Sequence, residues 1–424
     1  MLPRIVNRLL SIRSSHFLVP LWSVPVLLAL ASSPALANTY TPNTFADPAI
    51  TSLNNATGAI NGGGTISLRS ALKAADNLGG GPHTISLGTG TYLLDGSGTY
   101  TTPGLGTISS RTIFFGNSAQ NITINGNGPA STIISMAATG RDRIFTINYD
   151  GVVSNVVTTI NGVKFANGYL TFDTFGGAAI YAGPVNPNTQ TLTLNNTAFD
   201  NNICPHAAGN SGGIGGAINM FQGTLNIDSS TFTNNQTVDG AGGAIIYQLY
   251  NQGGNGVFTV TNSTFTGNHG GENGGAINFL AQGFIVPQVF SVNINRNTFS
   301  NNTAAGVGGA IMANNALGPS NTPVINYNRF VGNTSTASAA SSGLHYSESA
   351  GSVNAKNNWW GCNTGPTAAP CDRAGGDVAG GGSLDVSVWL QLRNIPTLAT
   401  LVTGQSTTIS ANILGLSSGG STAA

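Results

Sequence analysis

The few ionisable side chains of this 424-residue chain determine what chemistry it could perform. Only 7% of the residues are charged, and five are His. One group combines types that transfer protons and bind metals, namely Asp239, His269 and Glu272. Asp239 and Glu272 lie 33 residues apart, which matches a repeat that runs through the chain. We expect a small polar patch there, which is either a catalytic or metal site or a set of solvated loop residues.

The other carboxylates lack the grouping that carbohydrate-active enzymes need. A glycoside hydrolase requires two carboxylates about 5 to 9.5 Å apart. A uronate lyase requires Asp or Glu for Ca²⁺ and an Arg or Lys that removes a proton. The six Asp residues from Asp142 to Asp239 are separated by 8 to 28 residues, and no two Asp are adjacent. The sequence therefore favours a non-catalytic protein that needs no cofactor, with Ca²⁺ expected only for a lyase.

The three cysteines favour structural roles over nucleophilic catalysis. Cys362 and Cys371 flank a turn-rich stretch, so we expect a disulfide between them. Cys204 then has no cysteine partner, and we expect a buried or partly exposed thiol. A nucleophile built from Cys204 and His206 is disfavoured, because two residues so close in an irregular loop are weak evidence for such a pair.

Residues 1–37 have the three zones of an export signal. Three Arg precede an apolar run at 17–30, and the small residues of 35–37 predict cleavage before Asn38. A membrane anchor is disfavoured because this run is too short to span a bilayer, and no later segment is long enough. The cleaved chain would carry 11 basic and 14 acidic residues, so no basic surface for nucleic acid is expected.

Two interleaved motifs recur through the centre of the chain. Asn follows an aromatic residue in one motif, with spacings of 31 to 34 residues between successive Phe. Its Phe residues are Phe165, Phe199, Phe232, Phe265, Phe299 and Phe330, and Trp359 is expected to continue the series. The second motif, GGA followed by an apolar residue, begins at 176, 215, 242, 274 and 308. Short alternating strands at this period predict an all-β parallel solenoid, with coils about 4.8 Å apart.

The repeated residues are expected to be structural. Phe and Ile would stack in columns inside the solenoid, and the paired Gly would supply positive φ at a corner. The Asn two residues after Phe would adopt left-handed geometry and stack in an amide ladder. Upstream, residues 67–77 predict a short helix that covers the first coil, with Leu68 and Leu72 facing inward and Arg69 facing away.

These motifs resemble those of exported bacterial right-handed parallel β-helix proteins with polymorphic-membrane-protein-type repeats. The similarity covers roughly residues 60–385 and rests on the GGAI and F-x-x-N motifs in register. The segment at 65–76 resembles the N-terminal C-S-L-R-E-A-I helix of that family, with Ile66 in the Cys position and Ser70 in the Glu position. The NNWWGCNTGP segment is similar to the one that closes many such helices, with a second Cys following as Cys371 does here.

The resemblance implies a secreted or surface-exposed adhesin-like protein with a non-catalytic binding or structural role at the cell envelope. A glycan or a host or neighbour-cell surface protein would be its partner, and the cell surface or outer membrane its location. The alternative is a polysaccharide-acting enzyme of the pectate-lyase-like type. We expect the β-helix to span 38–385, with regular repeats at 160–361, and the tail at 386–424 to resemble the start of an Ig-like module.

Ligand contacts are expected where the repeats vary most in length. Insertions into solenoids map to loops, and loops carry binding residues. The loops at 203–214, 248–256 and 281–288 vary in this way and contain Tyr250 and Phe284. We expect these two aromatic residues to contact a glycan.

Overall fold

The chain folds into a parallel β-solenoid of about seven turns, as the repeats predict. The computed structural model describes residues 37–96, 98–102, 106–118, 121–139, 141–149, 155–170, 175–183, 190–205, 214–249, 256–281, 290–315, 322–347, 351–377, 382–396 and 400–422. The all-β prediction is confirmed, with one α-helix among these residues. The segment predicted to be an export signal lies outside the described residues.

Four parallel sheets form the walls, and we call them A to D in the order in which a complete coil passes through them. Sheet A has eleven strands: Thr39–Tyr40, His83–Ser86, Asn121–Asn125, Val157–Asn161, Thr191–Asn195, Gly223–Asp228, Gly256–Thr261, Phe290–Asn295, Val324–Asn326, Ser352–Asn354 and Ser383–Asp385. Sheet B has eight: Gly90–Leu94, Thr132–Met136, Lys164–Ala166, Ala198–Asp200, Thr231–Thr233, Thr264–Thr266, Thr298–Ser300 and Arg329–Val331.

Sheets C and D complete each regular coil. Sheet C has five short strands: Ile203–Cys204, Gln236–Thr237, His269–Gly270, Thr303–Ala304 and Thr334–Ser335. Sheet D has nine: Ile113–Phe115, Phe145–Ile147, Ile180–Ala182, Ile218–Phe221, Ile245–Leu249, Ile277–Ala281, Ile311–Asn315, Leu344–Ser347 and Ala374–Asp377. Sheet C therefore begins several coils after sheets A, B and D.

The remaining elements lie outside the four sheets. The α-helix is Leu68–Leu78, and one 3₁₀ turn is Ala339–Ser341. Two antiparallel hairpins pair Gly98–Thr102 with Gly106–Ser110 and Leu390–Pro396 with Ile409–Leu416. Within the described residues, no helix is long and apolar enough to cross a membrane.

A column of aromatic rings fills the interior behind sheet B. Its members are Phe165, Phe199, Phe232, Phe265, Phe299, Phe330 and Trp360. Successive ring centroids lie 4.6 to 5.1 Å apart, and the interplanar angles are 3 to 13°. The predicted continuation at Trp359 is wrong by one residue. Trp359 pairs with Arg329 instead, which places Trp360 opposite Phe330.

Two adjacent positions share the roles that we predicted for one Asn. The left-handed backbone occurs two residues after Phe, as at Asn201 with φ 55°. The buried amide ladder lies one residue later, and its rungs are Asn202, Asn235, Asn268, Asn302 and Asn333. In the first four rungs, Nδ2 donates to the Oδ1 of the next rung at 2.9 Å and to a Phe carbonyl of the preceding coil. Two residues after Phe, an amide-to-amide bond joins only Asn201 to Asn167 among the described residues, so the predicted position of the continuous ladder is corrected by one residue.

A second ladder, which the sequence reasoning missed, lies two residues before each Phe. It runs through Thr197, Ser230, Ser263, Asn297, Asn328 and Asn358. Side-chain oxygens there accept backbone N–H groups of the preceding coil, as when Ser263 N donates to Asn297 Oδ1 at 2.8 Å. The two ladders satisfy buried backbone groups at the corners on either side of sheet B.

The two positions of each GGA motif require Gly for different physical reasons. The first Gly has positive φ in all five motifs, whereas the second has it only at Gly177. The second Gly is needed because the coils approach closely. A Cβ on Gly243 would lie 2.1 Å from the carbonyl oxygen of Gly275.

The α-helix closes the N-terminal end of the core, as its pattern predicts. Ser67 and Ser70 form a reciprocal capping box, so Ser70 takes the N3 position that Glu or Gln occupies in most capping boxes. The prediction that Arg69 faces away is wrong. Arg69 is buried and forms a 2.6 Å ion pair with Asp47. Its guanidinium also donates to the backbone carbonyls of Arg111 and Thr112, and these contacts together make its burial favourable.

The C-terminal end is closed by a disulfide and a buried carboxylate. Cys362 and Cys371 are bonded, with their Cα atoms 5.2 Å apart. Next to the disulfide, Asp372 Oδ2 accepts two hydrogen bonds from Asn333 and ends the amide ladder. Burial raises the pKa of Asp372, and the bonds from Asn333 oppose that shift. The following hairpin is tied to this end through Asn363, which exchanges hydrogen bonds with the backbone of Leu392.

Candidate binding surface

The outer face of sheet B carries a regular grid of hydroxyl groups. Side chains alternate along a strand, so the residues on either side of each inward Phe point outward. Register places Thr231, Thr264 and Thr298 in one row, and Thr233, Thr266 and Ser300 in the next. We call these six residues the hydroxyl grid. Parallel strands set about 4.8 Å between coils and about 6.6 Å along a strand.

The grid is only partly held by internal hydrogen bonds. Thr231 and Thr264 are exposed, and the other four side chains are half-buried. Thr266 and Ser300 share a 2.9 Å hydrogen bond. The grid therefore presents hydroxyl groups to solvent at fixed spacings, on a backbone that the interior holds rigid.

The outer face of sheet A continues this neutral surface. Its central row joins Thr123, Thr159, Thr193, Asn226, Thr259 and Asn293. All six side chains are half-buried. Neighbouring outward side chains are mostly Thr, Asn, Ser or Val, with Asp228 and Asp385 as charged exceptions, so most of this face is polar without charge.

Charged side chains on or beside this surface interact with neighbouring residues of the fold. Lys164 lies 3.5 Å from Asp200 beside the grid. Asp228 on sheet A accepts hydrogen bonds from Thr261, Ser229 and Asn262, and the first two mainly hold its pKa below the usual range.

The structure places His269 in the outward row of sheet C. This row consists of Ile203, Gln236, His269, Thr303 and Thr334. The Nδ1 atom of His269 lies 2.7 Å from the hydroxyl of Thr303 in the next coil. Partial burial lowers the pKa of His269. These contacts make the imidazole a member of the polar row.

Asp239 and Glu272 lie on equivalent turns after sheet C, as their spacing predicts. The two turns are joined by backbone, since Glu272 N donates to the carbonyl of Gly240 at 2.8 Å. Both side chains are exposed. Across the ranges that the structure describes, no three His, Cys, Asp or Glu side chains group in a way that could hold a metal ion.

Other predicted residues are placed elsewhere or lie outside the described ranges. Tyr250 and Phe284, the two expected glycan contacts, lie outside the described residues, as does His206. Cys204 lies in sheet C with its side chain buried beside Leu170 and Ala178. The structure therefore leaves the Tyr250 and Phe284 prediction open.

The sequence reasoning missed the hydroxyl grid, although a signal for it was present. Thr-Phe-Thr occurs at 231–233 and 264–266, and Thr-Phe-Ser at 298–300. The hydroxyl residues that flank Phe232, Phe265 and Phe299 repeat as regularly as the Phe residues themselves.

Comparison with known proteins adds no relative. No family model, no curated protein and no solved structure matches the chain.

Proposed function

We propose that this protein is a secreted or surface-exposed adhesin-like β-helix protein that binds glycan without cleaving it. The observation that carries the proposal is the hydroxyl grid, continued by the polar row of sheet A. Solenoids present extended surfaces of this kind to their ligands. Rigid, closely spaced hydroxyl and amide groups suit the many hydroxyl groups of a glycan, since each is both donor and acceptor.

The roles of the carboxylates support a non-catalytic function. Asp142 accepts hydrogen bonds from the hydroxyls of Ser110 and Thr112. Asp47 pairs with Arg69, and Asp372 ends the amide ladder. These groups stabilise corners and ends of the solenoid, so their oxygens are already engaged by the fold.

Export and cell-surface location are part of the same proposal. The zones of residues 1–37 are typical of a cleaved signal, and the disulfide suits an oxidising compartment. The motifs resemble polymorphic-membrane-protein-type repeats, whose bearers are adhesin-like. A host or neighbour-cell surface protein stays a possible carrier of the bound glycan.

A glycan array tests the proposal. Purified protein should be retained on a subset of glycans, and the triple variant Thr231→Val, Thr264→Val, Thr298→Val should lose at least half of that retention. Valine keeps the shape and strand preference of threonine but removes its hydroxyl group. The matched control is Thr403→Val, an exposed residue of the C-terminal hairpin connection.

Two outcomes would contradict this function. Retention of the triple variant equal to that of the wild type would remove the hydroxyl grid from the binding surface. Accumulation of unsaturated uronate during incubation with polygalacturonate and Ca²⁺ would favour the lyase alternative instead.

A further inference from the structure

A cavity of about 450 Å³ opens where sheet C begins. Ile203–Cys204 is the first strand of sheet C, and above it only Tyr169 continues the pairing, through a single bridge to Ile203. Earlier coils have strands in sheet B but none in sheet C within the described ranges. The missing strands leave a recess beside the turns that follow sheet B.

One position beside the recess shows where the regular repeat begins. The first F-x-x-N motif reads Phe165-Ala-Asn-Gly168, so Gly168 stands where later coils carry a ladder Asn. The N–H of Gly168 donates to Oδ1 of Asn202 and ends the ladder there. A side chain would not fit, because a Cβ on Gly168 would lie 2.2 Å from the carbonyl oxygen of Ala178.

The walls of the cavity combine apolar, amide and cationic groups. The lining residues that matter here are Leu93, Ser135, Arg141, Asn167, Tyr169 and Asn201. The guanidinium carbon of Arg141 lies 4.1 Å from the ring centroid of Tyr169. The volume is in the range of small-molecule binding sites.

Backbone contacts on both sides fix the main chain of Tyr169. Tyr169 N donates to the carbonyl of Asp142 at 3.0 Å, and the residue forms a β-bridge with Ile203. The half-buried ring therefore starts from a fixed backbone where it meets the guanidinium. A guanidinium that lies flat on a ring directs its N–H groups sideways, away from the ring.

Arg141 is available to an anion. Its side chain is exposed, and among the residues that the structure describes no carboxylate pairs with it. The planar fork of Arg matches a carboxylate in a bidentate arrangement. A sugar that bears a carboxylate can use both features of this site. Its carboxylate can pair with the cation, and its C–H face can pack against the apolar wall.

Amide groups complete the site. Asn201 Nδ2 donates to Oδ1 of Asn167 at 3.0 Å, and Asn167 Nδ2 donates to Ser135 at 3.0 Å. Both Asn side chains are exposed, and each amide has further donor and acceptor capacity that a hydroxyl-bearing ligand can use. The exposed side chain of Leu93 provides an apolar surface for the C–H face of a sugar.

We propose that this cavity binds one carboxylate-bearing sugar residue of a glycan, with Arg141 holding the carboxylate and Tyr169 fixing the guanidinium. The inference rests on the proposed glycan binding and adds a ligand class and a second site. Sialic acids and hexuronates share this carboxylate, and the test separates the two sources.

Isothermal titration calorimetry tests the site with four probes of equal length. They are a sialylated trisaccharide, a galacturonate trimer, a neutral galactose trimer and a galactose trimer that carries sulfate. The wild type should bind at least one carboxylated probe about tenfold or more tightly than the neutral trimer. Its affinity should fall as salt is added, because the paired charges are partly exposed.

Arg141 variants identify the residue responsible. Arg141→Gln should weaken carboxylate binding about tenfold or more. The affinity of Arg141→Lys should lie between those of Arg141→Gln and the wild type, since Lys keeps the charge but lacks the planar fork. Arg393→Gln is the matched control, because Arg393 lies in the C-terminal hairpin, outside sheet B and the cavity wall. It should bind as the wild type does. Thermal unfolding of all variants checks that the fold is intact.

The outcomes separate the two proposals. Equal affinity for neutral and carboxylated probes, preference for the sulfated probe, or unchanged binding by Arg141→Gln would overturn the carboxylate site. If neutral glycans were still retained on the array, the proposed role of the hydroxyl grid would be unaffected. If the wild type bound no glycan at all, the proposed function itself would be overturned.

Discussion

The coils from 190 to 347 differ from the coils before them in how completely the repeat is built. In the later coils, sheet C is present and the amide ladder runs without a break from Asn202 to Asn333. In the earlier coils, sheet C is absent among the described strands and Gly168 replaces the ladder Asn. The cavity lies at the junction. Complete repetition gives a rigid wall, and its interruption gives a concave site.

The same contrast appears in the interior. Phe265 is stacked on both sides, against Phe232 and Phe299. In the earlier coils, Phe165 meets Phe145 edge to face, and Ile134 occupies the position before it. Interior positions in the later coils therefore tolerate change least, whereas an exposed cavity residue such as Arg141 carries little stability.

The largest expected effect is at the stacked column. Phe265→Ala should lower the free energy of unfolding by about 3 to 5 kcal/mol, because it removes a buried ring and leaves a cavity. Arg141→Gln in the cavity wall should change it by about 0.5 kcal/mol or less. Urea unfolding of both variants measures the contrast. Similar losses would mean that the cavity is part of the structural core.

A smaller effect is expected at the amide ladder. Asn268→Leu should cost about 3 kcal/mol, because it leaves the backbone N–H and side-chain amide of Asn235 without their acceptor. The comparison variant is Asn161→Thr, whose half-buried amide donates to Asn125 on the outer side of the earlier coils. It should cost less than about 1 kcal/mol. Equal costs at both amides would refute the special role of the buried ladder.

The smallest effect is expected from the pH dependence of His269. Its pKa is lowered by burial, so the unfolded state binds its proton more readily than the folded state does. Stability from this group is complete above the ordinary pKa of about 6.5 and is lost as pH falls from there toward the lowered value. His269→Gln should lack this component in thermal unfolding curves recorded across that range. A variant with the same acid sensitivity as the wild type would contradict it.

The repeats predicted the sheets because each motif residue recurs at the same place in every coil. Phe, Gly and Asn spacing was sufficient to predict the aromatic column and the sharp corners. The spacing could not decide between Trp359 and Trp360, because two adjacent Trp residues fit it equally well. Only the pairing of Arg329 with Trp359 decides the register.

The misjudged residues depend on contacts between distant segments. Arg69 was expected at the surface, but Asp47, far from the helix in sequence, makes its burial favourable. The cavity could not be predicted, because it lies where the described residues of the early coils form no strands of sheet C. Asp239 and Glu272 were correctly expected on equivalent turns, whereas a catalytic role for them stays untested.

A crystal structure of the protein with its best array glycan tests the central claim most directly. The claim is that the inward repeats form the scaffold and that outward side chains bind an intact glycan. We predict unbroken glycan density on the hydroxyl grid or in the cavity beside Arg141, with the Phe column unchanged. A cleaved sugar, or a glycan centred on the turns of Asp239 and Glu272, would contradict the account.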